Sequence, residues 1–405
     1  MMGSRQSGIR FIPALAGLVL SSLILAACAP SAPPPKPVQP APTPAPVPAP
    51  SVQAPAPAPE TGAPGAQVGL LLPLSGQQAG LGRAMLQAAE MGLFDVGAAD
   101  FELLPRDTAA LSPDGAVASA VTAKADIILG PLFGADIKLA APPATAARVP
   151  MVSFSNDISA AQPGVYLLGV TPEVQVERVV AYAAAQGLKR FAIMVPNSGY
   201  GRAVLGAYQD SVVRHGGNIA QITFYDPQSA DISIPARETG EAYKRQPFDA
   251  LMIPEGGQRL RAIAAMLPAF DLPPGVVRLL GTALWQDGGT LSEGALIGGW
   301  FAATPPDRWQ NFAQRYAALY GSQPDPRAGI VYDAVTLAVA LAQSKPGGDF
   351  STARLTDPSG FAGVTGVFRL LPDGRTERSL AVLEVVPGGF TLKDPAASSF
   401  AAAIN

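Results

Sequence analysis

Two side chains that enzymes depend on occur once each in this 405-residue chain, Cys28 and His215. One thiol permits neither a disulfide framework nor a thiolate metal cluster, and one imidazole cannot supply a ligand set for a catalytic metal. His215 stands just before Gly216-Gly217, at the expected last turn of a helix, where a partly cationic ring suits the dipole. No G-x-S-x-G elbow is present to carry a nucleophilic serine. Gly76, Gly80 and Gly82 lack the Gly-Lys-Ser/Thr end of a phosphate loop and do not complete G-x-G-x-x-G. Asp107, Asp157 and Glu255 are acids that could converge as a carboxylate pair, but nothing in their spacing demands it. The chemistry left is recognition, so no enzyme, cofactor or metal is expected. Ser75, Gly76, Leu132, Ser153, Ser155 and Asn156, in loops after apolar runs, offer hydroxyls, an amide and backbone N–H groups for such recognition. Glu255 is a further loop acid at the end of an apolar run. Trp285 could stack on something flat or simply fill the cleft.

These residues sit in a repeating grammar of short apolar runs and amphipathic segments. Val68–Pro73, Ala125–Gly130, Val149–Phe154, Phe191–Val195, Asn218–Tyr225, Ala250–Pro254 and Arg278–Gly281 read as strands, several apolar throughout as if buried on both faces. Helical spacing runs over Ala84–Val96, about Ala135–Ala147 and Arg202–His215. Strands alternating with helices predict parallel sheets covered on both faces, an α/β chain of two doubly wound lobes. An internal echo supports two lobes. Asp126-Ile-Ile-Leu-Gly-Pro-Leu-Phe-Gly134 followed by Val149–Phe154 is repeated as Asp249-Ala-Leu-Met-Ile-Pro-Glu-Gly-Gly257 followed by Val276–Gly281. Two such lobes place a ligand crevice at the carboxyl ends of their strands.

The amino-terminal region has a different character. Arg5 and Arg10 precede an apolar run from Phe11 to about Leu25, too short for a spanning helix and typical of a secretory signal. It ends in Leu25-Ala-Ala-Cys28, which resembles the lipobox of bacterial lipoproteins; the resemblance implies cleavage before Cys28, lipidation of its thiol and a membrane anchor. Ala29 stands where lipoproteins retained at the inner membrane usually carry Asp, which implies the outer membrane. Ala29–Ala66 is nearly all Ala and Pro, a composition that cannot pack and that extends as a polyproline II spacer on the order of 110 Å long. The whole chain has 28 basic and 31 acidic side chains; leaving out Arg5, Arg10, Lys36 and Glu60 makes it 25 against 30, which argues against nucleic acid as a partner.

Val68–Gly76, Gly130-Pro-Leu132, Phe154-Ser-Asn-Asp157 and Asn197-Ser-Gly-Tyr-Gly-Arg202 together resemble, in order and spacing, the type I periplasmic binding proteins of the leucine/isoleucine/valine-binding kind. The resemblance covers nearly all of residues 67–394. Leu70–Met85, Phe154–Asp157, the lipobox and the spacer are similar to a lipoprotein subgroup described as penicillin-binding-protein activators. The family topology implies three crossings between lobes: 67–172 and 301–378 in lobe I, 173–300 and 379–394 in lobe II, with 1–27 a signal peptide, 28–66 a lipidated tether and 395–405 a tail. It also implies that Tyr200 caps a ligand from lobe II. The resemblance implies that Ser75, Ser153, Ser155 and the backbone N–H groups near Leu132 take an amino acid's carboxylate, and that an acid after the strand matching Arg278–Gly281 takes its ammonium. This chain reads Gly281-Thr-Ala-Leu-Trp285 there, and Glu255, after the preceding strand, could substitute or be a solvated loop acid. Trp309, Phe312, Ala313, Tyr316 and Tyr320 form a helical stripe ending at Gly321, which we read as core. Two roles follow. The anchor and the missing acid favour a non-enzymatic activator of peptidoglycan synthases; the alternative is a receptor delivering amino acids or similar small polar ligands to an ABC permease.

Overall fold

In a computed structural model of the chain, residues 65–97, 101–345 and 347–400 are described. The expected signal segment, Cys28, the Ala/Pro tract up to residue 64 and the last five residues of the expected tail lie outside them. The first apolar run becomes strand β1 (Ala66–Leu72), almost wholly buried. It pairs in parallel with β2 (Phe101–Asp107) and β3 (Ile127–Leu129), and β4 (Met151–Ser153) and β5 (Val165–Leu167) complete a sheet ordered β2-β1-β3-β4-β5. Helices α1 (Ala79–Val96), α2 (Thr108–Leu111), α3 (Pro113–Thr122) and α4 (Gly134–Ala146) connect these strands. α1 stops at Gly97, whose left-handed backbone (φ 65°) lets its N–H donate to the Leu93 carbonyl. Strand β2 escaped sequence reading because it holds Pro105 and charged residues; it forms the sheet edge, where proline is tolerated.

The chain then crosses into a second unit: α5 (Pro172–Ala185), β6 (Arg190–Pro196), α6 (Gly199–Arg214), β7 (Asn218–Tyr225), α7 (Ser233–Arg245), β8 (Ala250–Met252), α8 (Gly257–Met266), β9 (Arg278–Gly281) and β10 (Trp300–Ala303). It returns through α9 (Pro306–Tyr320), α10 (Pro326–Ala342), α11 (Thr352–Leu355) and an antiparallel sheet of β11 (Phe361–Gly363), β12 (Gly366–Leu370) and β13 (Thr376–Arg378). A third crossing delivers the hairpin β14 (Ala381–Val386) and β15 (Gly389–Asp394) to the second sheet, ordered β15-β14-β10-β9-β8-β6-β7. This is the two-lobed α/β architecture with three crossovers. One boundary differs from expectation. The expected return to the first lobe at residue 301 comes too early: Trp300–Ala303 pairs with β9 and β14 and belongs to the second lobe. A strand hydrogen-bonded on both sides cannot belong to the other lobe.

Each lobe has its own core. In the first, Val68, Leu70, Ile127 and Val152 pack with α10 residues such as Val331 and Val335. In the second, Ile253, Ile263, Trp285 and Phe301 share one face of the sheet, while Val179, Ile193, Tyr208 and Val212 share the other. The aromatic stripe on α9 lies in the core. Phe312 and Tyr316 are buried, and the Tyr316 and Tyr320 hydroxyls donate to Gln87 of α1, to Oε1 at 2.7 Å and to the carbonyl at 2.9 Å.

The internal echo has a physical basis. Asp126 precedes β3, and its Oδ2 accepts the N–H of Gln67 at 2.9 Å, pinning the start of β1. Asp249 precedes β8, and its Oδ2 accepts the N–H groups of Lys189 and Arg190 at 2.9 and 2.8 Å, pinning the start of β6. Burial raises the Asp249 pKa, but the Arg190 side chain and the two N–H groups more than offset it, holding the carboxyl below its usual range. A depressed folded pKa stabilises the fold above the unfolded value near 4, and this is lost as pH falls through the folded value. Asp249→Asn is therefore expected to lower stability by about 1–2 kcal/mol at pH 7, with the deficit shrinking at pH 3. Urea titrations at both pH values check this; an equal deficit at each would contradict it.

Candidate functional site

Loops leaving the carboxyl ends of β1, β3 and β4 form the first wall. Ser75 and Gly76 follow β1 and are exposed. The Asp107 Oδ1 accepts from the N–H groups of Leu74 and Ala109, both at 3.0 Å, so Asp107 anchors this loop. Burial raises its pKa, while a hydrogen bond from Ser75 and the loop N–H groups prevail and lower it. After β3, Gly130 adopts φ 102°, and a Cβ there would stand 2.4 Å from the Leu71 carbonyl oxygen. That close approach turns the chain through Pro131 to Leu132, whose side chain is buried.

Two hydroxyls expected in this wall face inward. Ser153 is fully buried, donating to the Pro131 carbonyl at 2.7 Å and accepting the Ser155 N–H at 3.2 Å. Ser155 is buried as well, and its Oγ accepts the Asp157 N–H at 3.1 Å. Both brace the loop instead of presenting a hydroxyl to ligand. Asp157 in turn accepts from the N–H and hydroxyl of Ser159 and lies against Gly134. Ser75, Gly76, Asn156, Asp157 and Phe133 are exposed in this wall.

The second wall is more polar. Ser198 caps α6 by accepting the Gly201 N–H at 3.0 Å, which sets Tyr200 in the first turn. The Tyr200 hydroxyl lies 3.1 Å from the Thr282 Oγ1 at the end of β9. Burial foremost, partly countered by the Thr282 bond and reinforced by the charges of Glu255 and Glu173, pushes the Tyr200 pKa up to about 12. Tyr225, ending β7, donates to the Glu255 Oε2 at 2.6 Å. Glu255 is thus a half-buried, positioned carboxylate, not a freely solvated loop acid. Where the resemblance calls for an acid after β9, Thr282 is buried and engaged with Tyr200, and Asp287 lies beyond it, 3.8 Å from Arg261.

Trp285 is the clearest correction. It is 0 % exposed, its Nε1 donates to the Ile253 carbonyl at 3.0 Å, and Gly281 and Gly299 lie against its indole. It packs in the core of the second lobe and offers no face to a ligand. The neighbouring Leu284 is 46 % exposed. Glu173, in the first turn of α5, was not singled out in the sequence. A Glu at that position is ordinary helix chemistry, and only the structure shows its Oε2 buried without a hydrogen-bond partner among the described residues. His215 caps α6 and lies 2.7 Å from the Glu177 Oε1, away from these walls. Among the described residues no group of three or more His, Cys, Asp or Glu is placed to hold a metal ion.

A family model described as "Periplasmic binding protein" matches residues 65–390. The chain is 23% identical over 161 residues to an uncharacterized protein of Rickettsia prowazekii (strain Madrid E). That match spans 43% of the relative, less than half its length, and 40% of this chain. Among solved structures, a putative branched-chain amino acid ABC transporter protein from Rhodospirillum rubrum superposes with TM-score 0.72 at 20% identity, covering 81% of this chain and all of its own. A solute-binding protein of an ABC transporter from R. palustris, in complex with benzoate, gives 0.58 at 20% identity over 82% and 98%. The branched-chain amino acid transporter substrate binding protein LivJ of Streptococcus pneumoniae, in complex with isoleucine, gives 0.57 at 19% over 82% and 100%. At these identities the likeness establishes the fold, and two different ligands occur on it.

Proposed function

The chain belongs to the periplasmic binding protein family, and on that footing we propose that it is a non-enzymatic solute receptor of the periplasm, holding a small amine-bearing ligand between its two walls. The observation that carries this reading is Glu255, fixed by the Tyr225 hydroxyl at 2.6 Å beside the Tyr200–Thr282 pair. Glu255 takes the place of the acid missing after β9: it accepts the ammonium, while Ser75, Asn156 and backbone N–H groups of the first wall take the carboxylate. Phe133 and Leu284, both partly exposed, supply apolar contact. Amino acids are the ligand class that fits, an ABC permease is the partner, and closure of the lobes about the three crossovers is the signal it reads.

Titration calorimetry of residues 65–405 against the common amino acids and benzoate tests this. Micromolar binding of an amino acid is expected, weakened about 10- to 100-fold by Glu255→Gln through loss of a charge-assisted hydrogen bond. Benzoate binding untouched by Glu255→Gln would overturn the amine assignment, and no binding at all would overturn the receptor reading.

A second reading has its own observation. Leu25–Cys28 and the Ala/Pro tract that follows are suited to a lipid-anchored, probing domain, which favours an outer-membrane activator of peptidoglycan synthases. Recovery of a peptidoglycan synthase with the detergent-solubilised full chain, and of no permease subunit, would select it.

A further inference from the structure

A groove of about 870 Å³ lies beside the walls described above, lined by α5 and α6 of the second lobe and by the β12–β13 hairpin of the first. Its floor is made of small side chains: Ala181 of α5, and Ala203, Gly206 and Ala207 of α6. Along α6 it runs from Arg202 to Arg214, twelve residues or about 18 Å of helix. That volume falls in the range of sites for ligands well above the size of one amino acid. An extended peptide rises about 3.4 Å per residue, so the floor matches roughly five residues.

The charges in the groove indicate what it takes. Arg178, Arg214 and Arg375 are paired with Asp394, Glu177 and Asp373, and Glu377 is paired with Arg369. Four lining groups remain. Arg202 and Asp210 make no salt bridge or side-chain hydrogen bond among the described residues. The Oε2 of Glu173 and the Nε of Arg378 are buried polar atoms without a partner among the described residues; Arg378 is 8 % exposed, and its Nη1 and Nη2 donate to Thr365 and Leu168. An acceptor and a donor left unpaired in one groove is costly unless a ligand completes them. Unfilled hydrogen-bonding positions on groups of both signs fit neither a polyanion nor a polycation; they fit a dipolar chain.

We propose that this groove is a second binding site, for a short extended peptide with a free amino terminus. Its ammonium donates to Glu173, and its carbonyl or carboxylate oxygens accept from Arg202 and Arg378. Because both lobes wall the groove, peptide binding and cleft closure are coupled, and each changes the affinity of the other by the same factor.

Penta-alanine, N-acetyl-penta-alanine and free alanine titrated into residues 65–405 are the probes. Penta-alanine is expected to bind, and acetylation or Glu173→Gln to weaken it at least tenfold. Gly206→Trp is expected to abolish binding by filling the floor; Gly206 is exposed and a Cβ there meets nothing within 4 Å, and an unaltered thermal transition checks that the fold is kept. Free alanine is expected to bind without sensitivity to Gly206→Trp. Penta-alanine binding indifferent to both Glu173→Gln and Gly206→Trp, or no peptide binding at all, would overturn the proposal. The cleft assignment is tested by Glu255→Gln and the groove by Glu173→Gln and Gly206→Trp, so the two fail separately.

Discussion

Replacing Arg378 with methionine is expected to destabilise the protein by about 3–5 kcal/mol, the cost of leaving a buried charge without its compensation. Arg378 ends β13, where the chain makes its third crossing. Its Nη2 donates to the Leu168 carbonyl at 2.7 Å, at the first crossing, and its Nη1 donates to the carbonyl and hydroxyl of Thr365. The Thr365 hydroxyl donates onward to Asp333 of α10, and the carboxylate also accepts the N–H groups of Val364 at 2.6 Å and Thr365 at 3.0 Å. Asp333 is therefore a fully buried acid whose opposing charge arrives through one hydroxyl. Burial raises its pKa despite those bonds, and burial lowers that of Arg378 to about 10 despite the Asp333 charge. Both shifts indicate that desolvation outweighs attraction. The network ties the crossings together.

That asymmetry gives the control. Asp333→Asn keeps the acceptor for Val364 and removes the charge, so the double variant is expected to recover part of the loss seen in Arg378→Met. Urea unfolding of the three variants checks it. An Arg378→Met variant within 1 kcal/mol of the parent would show that the network is not the tie between crossings described above.

Trp285→Ala is expected to cost a further-reaching 3–5 kcal/mol, roughly the range for deleting a buried aromatic. The indole fills the space left by Gly281 and Gly299, lies 6.2 Å from the Phe301 ring, and satisfies the Ile253 carbonyl. Alanine leaves both a cavity and an unpaired acceptor. The same variant separates core from site, because a tryptophan that stacked on ligand would lose affinity with little change in stability. Chemical denaturation together with the amino-acid titration distinguishes the two. A stability change below about 0.5 kcal/mol, the scale of an inconsequential surface substitution, would return Trp285 to the ligand.

The elements were legible because their signals are local. The runs at 191–195, 218–225 and 278–281 are apolar or β-branched enough to be strands wherever they pack, and β7 and β9 fall on the expected residues. The repeated Asp before β3 and β8 was visible as a motif, and its role as a strand clamp is the same in both lobes. Strand β2 was not legible, because an edge strand needs only one hydrogen-bonded neighbour and tolerates Pro105. The lobe to which residues 301–303 belong is not legible for a related reason: an apolar strand carries no mark of which sheet it will join.

The candidate site was legible in type and not in orientation. Tyr200 and Glu255 stand in the polar wall, whereas Ser153, Ser155 and Trp285 turn inward, and Glu173 and Arg378 gain their significance only from unpaired atoms. The residue order alone determined an α/β chain of two echoing lobes with recognition chemistry in its loops, since strand burial and helix periodicity are properties of neighbouring residues. Tertiary structure decided which hydroxyls, acids and aromatics meet a ligand. That depends on residues far apart in the chain, as when Gly281 and Gly299 make room for an indole or Tyr225 reaches Glu255, and such pairings leave no local trace.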